Sequence, residues 1–172
     1  MSQTVERLFR ANVYVEGQGH AGAIEEIDLP SLKWAGADLK TIAMVGKSKL
    51  PTSLDELKVT MKGHLQADIV AVASDPTRFR NVQIRSNSVK WGGEGIEEEV
   101  AAVVYARGWF EEVNLGSVKG QENASGAQYV LHCVACKLQI GARVLFDIDL
   151  YQSKVVIDGT DVFATSNANL GI

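Results

Sequence analysis

Between residues 98 and 110 the chain alternates. Glu98, Val100, Ala102, Val104, Ala106 and Phe110 fall on one side of an extended backbone, a side broken only by the leading Glu and by Gly108. Glu97, Glu99, Tyr105, Arg107 and Trp109 fall on the other. Successive side chains of a strand point to opposite faces, so this stretch belongs in a sheet with one apolar and one mixed face. Residues 57–62, LKVTMK, repeat the alternation and predict a strand from about 56 to 63 over the capping-box reading of Ser53-Leu54-Asp55-Glu56. Residues 128–140 alternate too, with Val130, Val134, Cys136, Leu138 and Ile140 at even positions.

Turn signals cut the rest into short elements. Residues 11–15 and 23–29 flank a glycine-rich turn and read as the two strands of a hairpin. Residues 32–54 hold Gly36, Gly46 and Pro51 without a sustained period, and an irregular stretch of about 20 residues tends to be functional or partner-bound. Residues 65–74 predict a helix: Leu65, Ile69, Val72 and Ala73 share a face, and Asp75-Pro76 ends it. Residues 79–90 have strand spacing but few large apolar side chains, and Trp91-Gly92-Gly93-Glu94-Gly95 turns the chain. Residues 144–151 form a further strand, and Asp158-Gly159 is a hairpin signal. The expected fold is mainly β, a β-sandwich or partly open barrel of about eight or nine strands with one packed α-helix. No repeat or linker divides it, so residues 1–172 are expected to form one domain.

With 172 residues, 46% of them hydrophobic and only 3 prolines, the chain is long enough for a substantial core. A net charge of −4 gives no bulk attraction for nucleic acid or acidic lipid. No stretch reaches the roughly 20 apolar residues that span a bilayer, so no membrane insertion is expected. MSQTVERLFR lacks an apolar signal core, which predicts a cytoplasmic start.

Several motifs invite chemistry and do not sustain it. GQGHAG, residues 17–22, has the G-x-G-x-x-G spacing of a dinucleotide loop after a strand-like run. A phosphate loop needs a helix opening at its third glycine, but Ala-Ile-Glu-Glu-Ile-Asp-Leu and Pro30 follow Gly22, too short for a crossover. Turn glycines are the better account, and no cofactor is expected. Cys133 and Cys136 are a C-x-x-C, yet on a regular strand positions three apart face opposite ways, which predicts buried, reduced thiols and no metal. His20, His64 and His132 stand apart, with no hydrolase or metallopeptidase pattern around them. In Glu97-Glu98-Glu99 the outer pair would share a face turned away from Glu98, as a solvated acidic surface. Nothing here makes a positive case for an enzyme.

The strand that opens this reading continues as Arg107-Gly108-Trp109-Phe110-Glu111-Glu112-Val113-Asn114-Leu115-Gly116. Lys119-Gly120-Gln121-Glu122, Lys137-Leu138, Asp147-Ile148-Asp149, Val156-Ile157-Asp158-Gly159-Thr160-Asp161 and Asn169-Leu170-Gly171-Ile172 follow in order. Upstream stand Asn12-Val13-Tyr14-Val15-Glu16-Gly17, Asp28-Leu29-Pro30-Ser31-Leu32 and the Met44-x-Gly46 pair. In this order the chain resembles the major tail tube protein of contractile-tailed bacteriophages and the related tubes of R-type bacteriocins. It departs from that family at Trp109-Phe110-Glu111 and at His132-Cys133-Val134-Ala135-Cys136, and between 65 and 97 it matches in layout only.

The resemblance implies a structural protein whose hexameric rings stack into an inner tube with a continuous β-barrel lumen. Its partners would be other copies of itself, the tail sheath protein, the tape measure protein, the baseplate and the tail terminator. DNA would be a non-specific passing cargo. The location would be the virion tail, assembled in the host cytoplasm. Open sheet edges closed by neighbouring copies would fit such a ring. The irregular segment would be a contact arm between subunits or rings, with Leu39, Met44, Val45, Gly46, Lys47, Leu50 and Leu54 as its residues. The polar strand would suit a wet channel wall, giving Gln83, Arg85, Asn87, Glu97 and Glu99 as lumen residues, acidic enough to let DNA slide. Two other readings stand beside it: the tube of a bacteriocin or secretion-system-like injection machine, and a monomeric β-sandwich that binds a ligand in a pocket.

Overall fold

The computed structural model describes residues 5–39, 46, 48–118 and 126–171. In chain order its elements are β1 (Val5–Val15), β2 (Gln18–Gly19), β3 (Ile24–Asp28), β4 (Trp34–Leu39), β5 (Ser48–Leu54), β6 (Leu57–Gly63) and α1 (Ala67–Ala73). There follow β7 (Arg80–Gly92), β8 (Gly95–Asn114), β9 (Ala127–Ile140), β10 (Arg143–Asp149), β11 (Lys154–Ile157), β12 (Thr160–Asp161) and α2 (Ala164–Leu170). The chain is mainly β, and its sheets do not close.

The alternating stretch becomes β8, 20 residues long, and the largest sheet is organised around it. β7 pairs along one edge of β8 and β9 along the other, all antiparallel. The outer edge of β9 is shared: β6 takes residues 127–133 and β10 takes residues 135–140, so the sheet forks there. One branch runs on through β11 to β12 and the other through β6 to β3, while β1 and β2 extend the far side beyond β7. The even-numbered face of β8 is the buried one, with Ala102, Val104, Ala106, Gly108 and Phe110 all inside. Val104 and Phe110 join Leu57, Val59 and Met61 of β6, Val13 and Val15 of β1, and Ile69 and Ala73 of α1 in one core. Tyr129 is wholly buried in that core, and its hydroxyl accepts from the Gln66 backbone N–H (3.1 Å) at the entrance to α1.

A bulge sets the phase of β9. Arg107 lies opposite Ala135 but Gly108 lies opposite Cys133, so Val134 is an extra residue. The apolar side of β9 therefore falls at Tyr129, Leu131 and Cys133 before the bulge and at Cys136 after it. Both cysteines face the core. They are buried and unpaired, as expected, but not on opposite faces as a regular strand would have it. Gly108 is what admits the bulged backbone: a Cβ there would stand 1.8 Å from the His132 carbonyl oxygen.

Other elements depart from the expected layout. The strand partner of β1 across the first turn is the two-residue β2, while β3 crosses to β6, so residues 11–15 and 23–29 do not form a hairpin with each other. The described part of residues 32–54 is not irregular: β4 and β5 form an antiparallel pair, offset by a bulge at Thr52. α1 begins at Ala67, which leaves Leu65 outside it and 56% exposed; Ile69 and Ala73 carry the buried face. A second helix, α2, has no buried residue and hence no apolar period to read in the sequence. Among the described residues no helix is long and apolar enough to cross a membrane.

Candidate assembly surfaces

The side of the sheet opposite the core is a polar field built from the odd positions of β7 and β8. Across the strands, Asn81, Arg107, Ala135, Asp149 and Lys154 form one row. Gln83, Tyr105, Lys137 and Asp147 form the next, and Arg85, Val103 and Gln139 a third. Asn12 and Tyr14 of β1 extend these rows beside Arg85 and Gln83. Where the sheet curves, a hollow of about 380 Å³ opens on this face, lined by Tyr14, Gln83, Arg107, Lys137, Asp147 and Lys154 among others.

The cations of this field are matched. The Arg85 guanidinium lies 5.5 Å from the centre of the Tyr14 ring, the Lys137 ammonium 5.9 Å from that of Tyr105 and the Arg107 guanidinium 5.7 Å from that of Phe79. Lys154 Nζ donates to Asp147 Oδ2 at 2.6 Å. The chain's net negative charge does not carry over to this face, where Arg85, Arg107, Lys137 and Lys154 stand among Glu99, Asp147 and Asp149.

Of the residues expected on a channel wall, Gln83, Arg85, Asn87 and Glu99 do share this face, and Asn87 Nδ2 donates to Glu99 Oε2 at 3.3 Å. Glu97 does not. The register shifts between Lys90 and Trp91, which makes Glu97 the extra residue of a bulge, and its carboxylate fills the space over Gly92. It therefore joins Glu98 and Lys90 on the other face. There Lys90 Nζ bridges Glu98 at 2.5 Å, and that hydrogen bond and the nearby carboxylates raise the lysine pKa. Alternation alone places Glu97 with Glu99, and the bulge separates them.

The expected contact arm corresponds in part to the β4–β5 hairpin. Leu39 pairs with Ser48 near the hairpin's outer end and is half-buried, while Leu50 is 52% exposed opposite Ala37. Gly46 is exposed. Leu54 sits at the root, opposite Trp34, and packs against the chain's own core. Trp34 in turn contacts Phe163, ring centres 6.0 Å apart, and the Asp55 N–H donates to the Lys33 carbonyl (2.8 Å). Met44, Val45 and Lys47 lie outside the described residues.

Two exposed apolar clusters escaped sequence reading. At one end of the sheet Val5, Trp91 and Ile96 form a cross-strand row, each about half exposed. At the other end Phe79 stacks on Tyr151 at 5.8 Å beside Leu150. Trp91 reads as a turn residue because of the glycines after it. The only available signal was the apolar character of single residues flanking charged ones.

The motifs that suggested chemistry are scattered. Glu16 and Gly17 both have positive φ (49° and 83°) and form the two-residue turn between β1 and β2, so the first glycine of GQGHAG bends a hairpin. His64 Nε2 lies 3.2 Å from Glu25, His132 packs on Trp109 with ring centres 5.5 Å apart, and His20 donates its backbone N–H to Val13. Among the described residues no group of three His, Cys, Asp or Glu could hold a metal ion. Burial pushes both cysteine thiols up to about 12, far from a reactive thiolate.

Comparison with known proteins fits this geometry. A chain in the cryo-EM structure of the PVC sheath–tube complex of an extracellular contractile injection system, in its extended state, superposes with a TM-score of 0.58. The likeness covers 76% of this chain and 88% of that one at 9% sequence identity, which establishes a common fold. A search of curated proteins found no match. The family model of phage tail tube protein FII matches residues 5–171. The chain belongs to that family and is a tail tube structural protein.

Proposed function

We propose that six copies of the chain close into a ring and that rings stack into the inner tube of a contractile tail, around which the sheath contracts. The observation that carries this is the family match over residues 5–171 of an open, mainly β chain with a continuous polar face. The likeness to a chain of a sheath–tube complex supports stacking and a sheath outside. On this reading Gln83, Arg85, Asn87 and Glu99 line the lumen with the polar field, and Glu97 does not. DNA passes because Arg85, Arg107, Lys137 and Lys154 stand among Glu99, Asp147 and Asp149, so the middle of the field holds little net charge to grip phosphate. The outer part of the β4–β5 hairpin, with Leu39, Gly46 and Leu50, and the neighbouring Met44, Val45 and Lys47, reaches adjacent subunits or rings. The tape measure protein, baseplate and tail terminator meet the tube inside and at its ends, in a virion tail assembled in the host cytoplasm.

The extracellular injection system neighbour favours a second reading in which the same tube serves a particle without a genome. Electron microscopy of particles containing this protein separates the two by a DNA-filled head. For the purified protein, negative-stain microscopy should show rings or tubes; a monomer at every concentration overturns the proposal.

A further inference from the structure

The β4–β5 hairpin leaves the body of the chain from one branch of the fork and leans on the other. In the chain it lies between β3, which ends at Asp28, and β6, which begins at Leu57. Its strands pair only with each other, and within them only Leu39, Ser48 and Leu54 are less than fully exposed. The backbone hydrogen bond at its base, from the Asp55 N–H to the Lys33 carbonyl (2.8 Å), closes the hairpin on itself and not on the sheet. Two strands alone are marginally stable in water, so the angle of such an arm is set by what its root touches.

The root touches the far branch. Trp34, 37% exposed, lies against Phe163 with ring centres 6.0 Å apart and ring planes tilted by 47°. Phe163 follows β12, at the end of the branch that runs through β10 and β11. Its N–H donates to Asp161 Oδ1 (2.9 Å), and the Val162 N–H donates to the Val155 carbonyl (3.0 Å). Its ring, like the side chains of Leu32 and Leu54, packs on the core. Behind it, Asn167 ties α2 down: its N–H donates to the Phe163 carbonyl (2.8 Å) and its Nδ2 to the Ser153 carbonyl (2.9 Å). α2 buries no residue of its own, so Phe163 and Asn167 are its anchors.

We propose that Phe163, backed by α2, is a strap across the fork: through Trp34 it fixes the angle of the β4–β5 arm, so the end of the chain governs an arm formed near its start. The strap belongs to the single copy; its bearing on assembly rests on the tube reading, because an arm meets a neighbour only if it points at it. An aromatic pair with one ring partly in water is a weak hold, and elements with few buried contacts open without global unfolding. Losing the pair frees the arm to pivot about Lys33 and Asp55, and its two strands fray, while the main sheet stays folded.

Hydrogen exchange on the intact chain tests it. In Trp34→Ala and in Phe163→Ala, amides of residues 35–39 and 48–53 should exchange at least about tenfold faster than in wild type, with those of β7, β8 and β9 unchanged. The double variant Trp34→Ala/Phe163→Ala should add nothing to either single change, because both remove the same contact. Phe163→Tyr keeps the ring and should exchange like wild type. Trp34→Ala and Phe163→Ala should each need at least about tenfold more protein to form tubes, by sedimentation velocity and negative-stain microscopy, because a loose arm has to be ordered at every contact. Unchanged hairpin exchange in Trp34→Ala overturns the strap. Acceleration spread evenly over β7, β8 and β9 overturns it too, since that is a loss of global stability only. If Phe163→Ala fails to fold, Trp34→Ala decides alone, its side chain being partly in water. Faster hairpin exchange with tubes at the wild-type concentration overturns the strap's role in assembly. A wild type that never forms tubes overturns the tube reading, and exchange in the single copy still decides the strap.

Discussion

Single residues set the geometry of the core at a few places where the backbone leaves its regular path. Gly108 is one. With the His132 carbonyl oxygen 1.8 Å from where a Cβ would be, Gly108→Ala has to move backbone on β9 as well as on β8. The variant should lose about 3 kcal/mol of stability, the upper part of the range for overpacking, read as a lowered urea midpoint. Cys133 and Cys136 are another. Burial raises both thiols from 9.0 to about 12, so the folded chain holds those protons where the unfolded chain releases them. The sign follows: this stabilisation is complete below pH 9.0 and is lost as pH rises through about 12. Urea midpoints should therefore fall across that window, and Cys133→Ala/Cys136→Ala should flatten the fall. The native protein should also leave both thiols unreactive to thiol reagents at pH 8 until it is unfolded.

Among the elements, the β4–β5 hairpin differs from the rest in having its own two-stranded sheet. An isolated pair of strands is marginally stable in water, and this one is held at its root by Leu54 and by Trp34 against Phe163. Its outer half contributes little to the core. Removing residues 36–50 and bridging the gap with a short turn should leave a folded monomer, by circular dichroism and thermal melting, that no longer forms tubes. Tubes formed by the shortened chain would show that the hairpin is not the contact arm.

For the whole molecule, the distribution of charge matters more than its sum. A net charge of −4 repels DNA at a distance, and the cations of the polar field are engaged by Tyr14, Tyr105, Phe79 and Asp147. The purified protein should not retard duplex DNA in a gel at about 0.15 M salt. Breaking one engagement with Asp147→Asn frees Lys154 and should produce weak retardation that salt removes.

The sequence by itself determined the mainly β class, the long β8 with its even-numbered apolar face, the β6 strand, the presence of α1 and the turn at Asp158-Gly159. Each rests on a local period or a turn residue, and neighbouring residues in the chain are enough to express it. The ordered motifs from Asn12 to Ile172 also made the family legible. Pairing and phase were decided by the tertiary structure. Whether β3 follows β1 or crosses to β6 depends on contacts between distant segments, and no period in residues 23–29 records the choice. The bulges at Val134 and Glu97 reverse which side chains share a face, bringing the cysteines together and parting Glu97 from Glu99. A bulge is set by how two strands fit against each other, so alternation read along one strand continues past it on the wrong face.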